Sequence, residues 1–175
     1  MTSSWREHLK LRDRLHPEHP DDLQVIVHEG GPRLSDLPPE LVWVTITGCE
    51  DEVFSAKVLN QPHQLISITQ GQSINFVVPE DGDHAVMVTD KYIKERPDWI
   101  IHPCQNCGLT ELLDAPSDLI RVTFPDAPPD AVMEAFTTFC GACGGVQVVQ
   151  HKDADISEEN QPNTTSDKKW WQFWR

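Results

Sequence analysis

Leu41-Val42-Trp43-Val44-Thr45-Ile46-Thr47, then Gly48-Cys49-Glu50-Asp51-Glu52, then Val53-Phe54-Ser55-Ala56-Lys57-Val58-Leu59 is the stretch whose reading decides the fold. Both flanks are rich in β-branched and aromatic residues, which fit a pleated, half-buried surface. The polar stretch between them has turn chemistry, so the whole predicts a hairpin. Upstream, Val25-Ile26-Val27 is a further strand, broken by Gly30-Gly31-Pro32. Downstream, residues 63–68 and 73–78 read as two more strands around Thr69-Gln70-Gly71-Gln72, and Glu80-Asp81-Gly82-Asp83 is a polar turn before His84 to Thr89. About five short strands with tight turns predict a small antiparallel barrel or strongly curved sheet across residues 23–101. Asp90 to Arg96 has room for two helical turns before Pro97, and Trp99-Ile100-Ile101 forms an apolar plug.

Ahead of the strands, residues 1–22 read as an N-terminal helix and linker. Ser4 and Glu7 have capping-box spacing, the helix is expected over 4–15, and Pro17 ends it. His16 and His19 are close enough to share a metal, but they sit between prolines with no third ligand, and an exposed loop is the simpler reading.

Residues 40–78 resemble a bacterial domain of unknown function, the YegJ type. The resemblance rests on Leu41-Val42-Trp43-Val44-Thr45, Val58-Leu59-Asn60-Gln61-Pro62 and Gln70-Gly71-Gln72-Ser73-Ile74-Asn75-Phe76. That family pairs a Trp-containing strand with a Leu-x-Asn-x-Pro turn and a Gly-acid-x-Val-x-Phe strand; Gln72 replaces the usual acid. The resemblance implies a small bacterial β domain; the family has no established activity, so the resemblance points to no catalytic role.

The cysteines carry the chemistry. Cys104-Gln105-Asn106-Cys107-Gly108 and Cys140-Gly141-Ala142-Cys143-Gly144 are two C-x-x-C-G knuckles. Two intervening residues let both sulfurs of a turn face one centre, and the following glycine suits a positive φ. Four thiolates match tetrahedral Zn²⁺, and residues 102–151 resemble a zinc-ribbon-like unit with four cysteine ligands. The 32 residues between Cys107 and Cys140 are accommodated by a strand over Asp118–Phe124 and a helix over Pro128–Phe139, with Val146–Val149 as the return strand. The expected order is knuckle, strand, helix, knuckle, strand. Iron suits four thiolates too. A redox dithiol is disfavoured because Cys143 is followed by Gly-Gly and a β run, not by a helix. Disulfides are disfavoured by an expected cytoplasmic location. His102 is a neighbour of the site, Cys49 an isolated thiol in the hairpin turn. Asp81, Asp83, His84 and Asp90 form a loose group that lacks a full calcium ligand set.

The chain carries 28 acidic and 14 basic residues, a formal charge of −14. The excess is concentrated: residues 21–151 hold 20 acids against 6 bases. Such a body repels nucleic acid and anionic lipid, and attracts basic proteins. No apolar stretch is long enough to span a bilayer. Residues 152–175 are expected to form a disordered tail that ends in Lys168-Lys169-Trp170-Trp171-Gln172-Phe173-Trp174-Arg175, which holds half of the tryptophans. Aromatics flanked by cations suit a protein groove, a membrane interface or the chain's own acidic body.

The combined expectation is α+β and mainly β: the barrel or curved sheet, then a zinc-ribbon-like unit with one inserted helix. There is no nucleophile elbow, P-loop, dinucleotide fingerprint or H-E-x-x-H motif. The reading is a cytoplasmic bacterial, non-catalytic, zinc-stabilised interaction module. Two alternatives stand beside it: an acidic, immunity-type inhibitor of a basic toxin, and an enzyme whose site the sequence does not display.

Overall fold

The computed structural model describes residues 5–29, 37–80, 84–131 and 133–154. The strands are β1 (Asp22–Val27), β2 (Glu40–Glu50), β3 (Val53–Val58), β4 (Ser73–Val77), β5 (Ala85–Val88), β6 (Trp99–Ile101), β7 (Ala135–Phe139) and β8 (Val146–His151). The two α-helices are α1 (Asp90–Glu95) and α2 (Pro116–Thr123). Strands β1 to β5 close into a barrel in sequence order, and a separate three-stranded sheet has the order β6-β8-β7.

Alternation builds the barrel. Leu23, Val25 and Val27 on β1, Val42, Val44 and Ile46 on β2, and Phe54, Ala56 and Val58 on β3 point into one core. Phe54 and Phe76 stack at 5.2 Å between β3 and β4. The barrel is not wholly antiparallel, because β1 and β5 close it as a parallel pair through Val25–Ala85 and Ile26–Val86. The chain runs through β2, β3 and β4, reversing direction at each step, so β5 returns parallel to β1. The decisive hairpin is longer than its sequence implies: β2 continues to Glu50, with a register shift between Ile46 and Gly48. Only Asp51 and Glu52 turn, both with positive φ (47° and 67°), the conformation that matches the right-handed twist of the flanking strands. Cys49 therefore lies in a strand paired with Phe54, not in the turn.

Four expected elements differ from the observed ones. Residues 5–11 make two single 3₁₀ turns, Trp5–Glu7 and Leu9–Leu11, in place of the helix over 4–15. The buried Trp5 and Leu11 anchor these turns on the barrel core, too ragged a stripe for a continuous helix. Ser4, the expected cap, lies outside the described residues. Residues 63–68 are a loop, because two carboxylates take over the pairing that a neighbouring strand would supply. Glu40 accepts the backbone N–H groups of His63 (2.7 Å), Gln64 (2.6 Å) and Leu65 (3.1 Å), while Glu29 accepts those of Ile66 (2.5 Å) and Ser67 (3.1 Å). Leu65 and Ile68 then plug the barrel.

The other two differences exchange a helix and a strand. Residues 118–124, read as a strand, are helical up to Thr123, the end of α2, while 135–139 of the helix expected over 128–139 form β7. The order is thus knuckle, helix, strand, knuckle, strand. Helix α2 has Pro116 at its first turn and no capping side chain at Ala115; its cap comes from α1, where Glu95 accepts the Ser117 N–H at 2.9 Å and its hydroxyl at 2.7 Å. Lys91 of α1 also pairs with buried Asp118. Strand β7 pairs with β8 in five positions, from Ala135–Gln150 to Phe139–Val146, which outweighs the helical spacing of its apolar residues.

The apolar plug is strand β6, paired with β8 from Trp99–His151 to Ile101–Val149. A largely buried polar network ties α1 and, through Arg96 and the Trp99 carbonyl at 2.9 Å, β6 to the segment just beyond the first knuckle. The Tyr92 hydroxyl bonds to the Glu111 carboxylate and accepts the Leu112 N–H at 3.2 Å, and Arg96 Nε donates to Glu111 at 3.0 Å. Burial and the adjacent Glu111 charge hold the Tyr92 phenol well above its ordinary pKa. Strand β5 joins the two halves: Ala85 and Met87 face the barrel core, while Val86 packs with Cys104, Leu109, Leu113 and Cys140, and Val88 with Tyr92 and Trp99. Lys152 and Asp153 form a turn closed by the Ala154 N–H on the His151 carbonyl at 3.1 Å; the rest of the expected disordered tail, its aromatic end included, lies outside the described residues. Among those residues no helix is long and apolar enough to cross a membrane.

Candidate metal centre

The two knuckles are built alike because their sequences are alike. In the first, the Cys104 N–H donates to the Leu109 carbonyl at 2.9 Å, and the Gly108 N–H donates back to the Cys104 carbonyl at 2.9 Å. In the second, the Cys140 N–H donates to Gly145 at 2.6 Å and the Gly144 N–H to Cys140 at 2.9 Å. Gly108 and Gly144 carry φ of +75° and +77°, the left-handed conformation expected of each glycine, which would cost another residue about 1–2 kcal/mol. The first knuckle ends strand β6, and the second is the turn of the β7–β8 hairpin. A bond from the Gln105 N–H to the Val146 carbonyl at 3.0 Å sets the two side by side.

This placement brings all four sulfurs within 4.8 Å of one another, an arrangement able to hold a metal ion. Two separations between the knuckles are 3.5 Å from Cys104 to Cys143 and 3.7 Å from Cys107 to Cys140. Four thiolates about 2.3 Å from a tetrahedral centre lie about 3.8 Å apart, so the cluster already has the right size. A disulfide requires about 2.05 Å. The backbone assists, since the Asn106 N–H points at Cys104 Sγ and the Gly145 N–H at Cys143 Sγ, each at 3.4 Å. Gly145 leaves no room for a side chain: a Cβ there would stand 2.8 Å from Cys104 Sγ and 2.7 Å from Asn106 Cβ.

The four thiols are not equivalent. Cys104 and Cys140 are buried at 3% and 0% exposure, packed against Val86, Leu109 and Leu113, whereas Cys107 and Cys143 face solvent. The Asn106 side chain, the Gly145 N–H and the neighbouring thiols lower the Cys143 pKa to about 6. Desolvation and the surrounding thiols push Cys107 up to about 12, and burial also raises Cys140. One sulfur is thus a ready thiolate, and two give up protons only in exchange for a cation.

Other sequence candidates stand apart from this centre. His102 is exposed and contributes its N–H to Val148 at 2.9 Å. Cys49 lies against the barrel core, and burial raises its pKa. His16 packs edge-on against Trp43, with His19 5.0 Å away, and its Nδ1 accepts the Glu18 N–H. Asp81 and Asp83 lie outside the described residues. Sequence reasoning missed Gln147, which is fully buried on β8 and donates to the carbonyls of Leu109 (2.8 Å) and Glu111 (3.3 Å), tethering the chain just beyond the first knuckle. The signal was a glutamine in an otherwise apolar β run. No protein family, curated protein or solved structure matches the chain.

Proposed function

We propose that this chain is a non-catalytic interaction module in which Cys104, Cys107, Cys140 and Cys143 hold one structural Zn²⁺ in a zinc-ribbon-like unit. The observation that carries the reading is the four-sulfur cluster, all within 4.8 Å, with two S–S separations of 3.5 and 3.7 Å near the edge length of a zinc tetrahedron. Four protein thiolates complete the coordination shell of zinc and leave no open position for substrate, which is the hallmark of structural zinc rather than catalytic zinc. A single ion there crosslinks β6 to the β7–β8 hairpin, where the local core is small, and so supplies folding energy directly. Separated thiols suit a reducing compartment such as the cytoplasm. The acidic excess of residues 21–151 favours a basic protein as partner and opposes nucleic acid.

Elemental analysis of the purified chain beside Cys140→Ser tests this. The expected result is about one zinc per chain, lost in the variant together with several degrees of Tm. Iron at that ratio points to electron transfer instead, and a metal-free chain with four titratable thiols overturns the reading.

A further inference from the structure

A cleft of about 590 Å³ separates the barrel from α1 and the second sheet. Val53 and Val77 form an apolar wall on the barrel side, faced by Ile93 and Ile101. Its charges are unbalanced. Lys10 is engaged by Glu52 at 2.7 Å and Arg96 by Glu111 at 3.0 Å, whereas Asp51 and Glu80, also on the lining, have no ion-pair partner among the described residues. The cleft thus offers apolar walls and two uncompensated carboxylates, which fits a segment that carries aromatic side chains beside cations.

One segment of this sequence has that composition: Lys168-Lys169-Trp170-Trp171-Gln172-Phe173-Trp174-Arg175. The path to the cleft is short at its start. The Lys152 N–H donates to the Asp98 carbonyl at 2.9 Å, so the chain leaves β8 against the turn whose Arg96 and Pro97 line the cleft. Residues 155–167 span at most about 45 Å, against a radius of gyration of about 15 Å for a body of this size.

We propose that residues 168–175 dock in this cleft of their own chain, with the tryptophans against the apolar walls and the cations at Asp51 and Glu80. Tethering supplies an effective concentration on the order of 1 mM, so an intrinsic affinity of only about 0.1 mM fills the site roughly nine-tenths of the time.

Amide hydrogen exchange on the full chain tests the docking, with the free eight-residue peptide as reference. In the wild type, amides of 168–175 are expected to exchange at least fivefold more slowly than in the peptide. Asp51→Asn/Glu80→Lys, which keeps a residue tolerant of positive φ at 51, should return them to the peptide rate while Val44 and Phe76 stay protected in the barrel. If that double variant disturbs the barrel amides, Glu80→Lys alone serves, with at least a halving of the protection expected. Peptide-rate exchange in the wild type overturns the proposal. So does protection that survives the charge changes, or protection that vanishes on twentyfold dilution, which would place the segment on a second copy.

Discussion

Gly145→Ala is expected to weaken metal binding by at least tenfold, measured by chelator competition, since its Cβ would crowd Cys104 Sγ. Gly144→Ala meets open space and should cost only about 1–2 kcal/mol of backbone strain, with affinity close to that of the wild type. The cysteine positions are legible from spacing alone, and the positive φ of Gly108 and Gly144 from the chemistry of the turn. The constraint on Gly145 is not, because it comes from a neighbour's sulfur that only the folded chain brings near. Thiol reactivity gives a second prediction. In metal-stripped protein at pH 7, Cys143 should be alkylated first, because its pKa falls to about 6, and Cys107 slowly despite its exposure, because its pKa is about 12. Cys107 and Cys140 both hold protons at neutral pH, so loading releases them. Apparent affinity should therefore rise steeply with pH between 7 and 8; a slope near zero would contradict the raised values.

At the scale of elements, sequence reading succeeded where the signal is local and failed where the partner is distant. Alternating strands of the barrel declare themselves. Helix α2 did not, because its cap is Glu95, 22 residues upstream, while Leu119-Ile120-Arg121-Val122-Thr123 has strand-like composition. Glu95→Ala should cost about 1 kcal/mol by removing that cap, as read by equilibrium denaturation; an unchanged midpoint would mean that packing alone holds α2. Loop 63–68 failed for a related reason, since its backbone partners are side chains from two other segments. Their pH signature follows. At Glu40 desolvation is outweighed by the three N–H groups together, and at Glu29 the Ser67 and Ile66 bonds dominate; both carboxyls lie below their ordinary value. Depressed folded-state values stabilise above the unfolded carboxylate pKa of about 4.3 and lose that contribution as pH falls through the folded value. Glu29→Gln/Glu40→Gln should accordingly melt below the wild type at pH 7, with the difference shrinking below pH 4. A gap independent of pH would refute the charge-based account.

Across the whole molecule, β5 is the shared wall, and both of its faces are covered. Metal and barrel stability should therefore be coupled. Val86→Ala removes two methyl groups between Cys104 and Cys140 and is expected to cost about 2 kcal/mol while loosening the metal, with both changes read in one chelator-titrated melt. The barrel as a class was legible from strand count and turn chemistry. The parallel β1–β5 closure was not, because only two residue pairs make it. That closure also fixes an order of events during synthesis. Val25 and Ile26 emerge early, but their partners Ala85 and Val86 follow about 60 residues later, roughly 3–12 s at ordinary translation speeds. Until then the nascent chain is an open ribbon with a bare edge at β1, and any pause before residue 86 prolongs the exposure of that edge to neighbouring polysome chains.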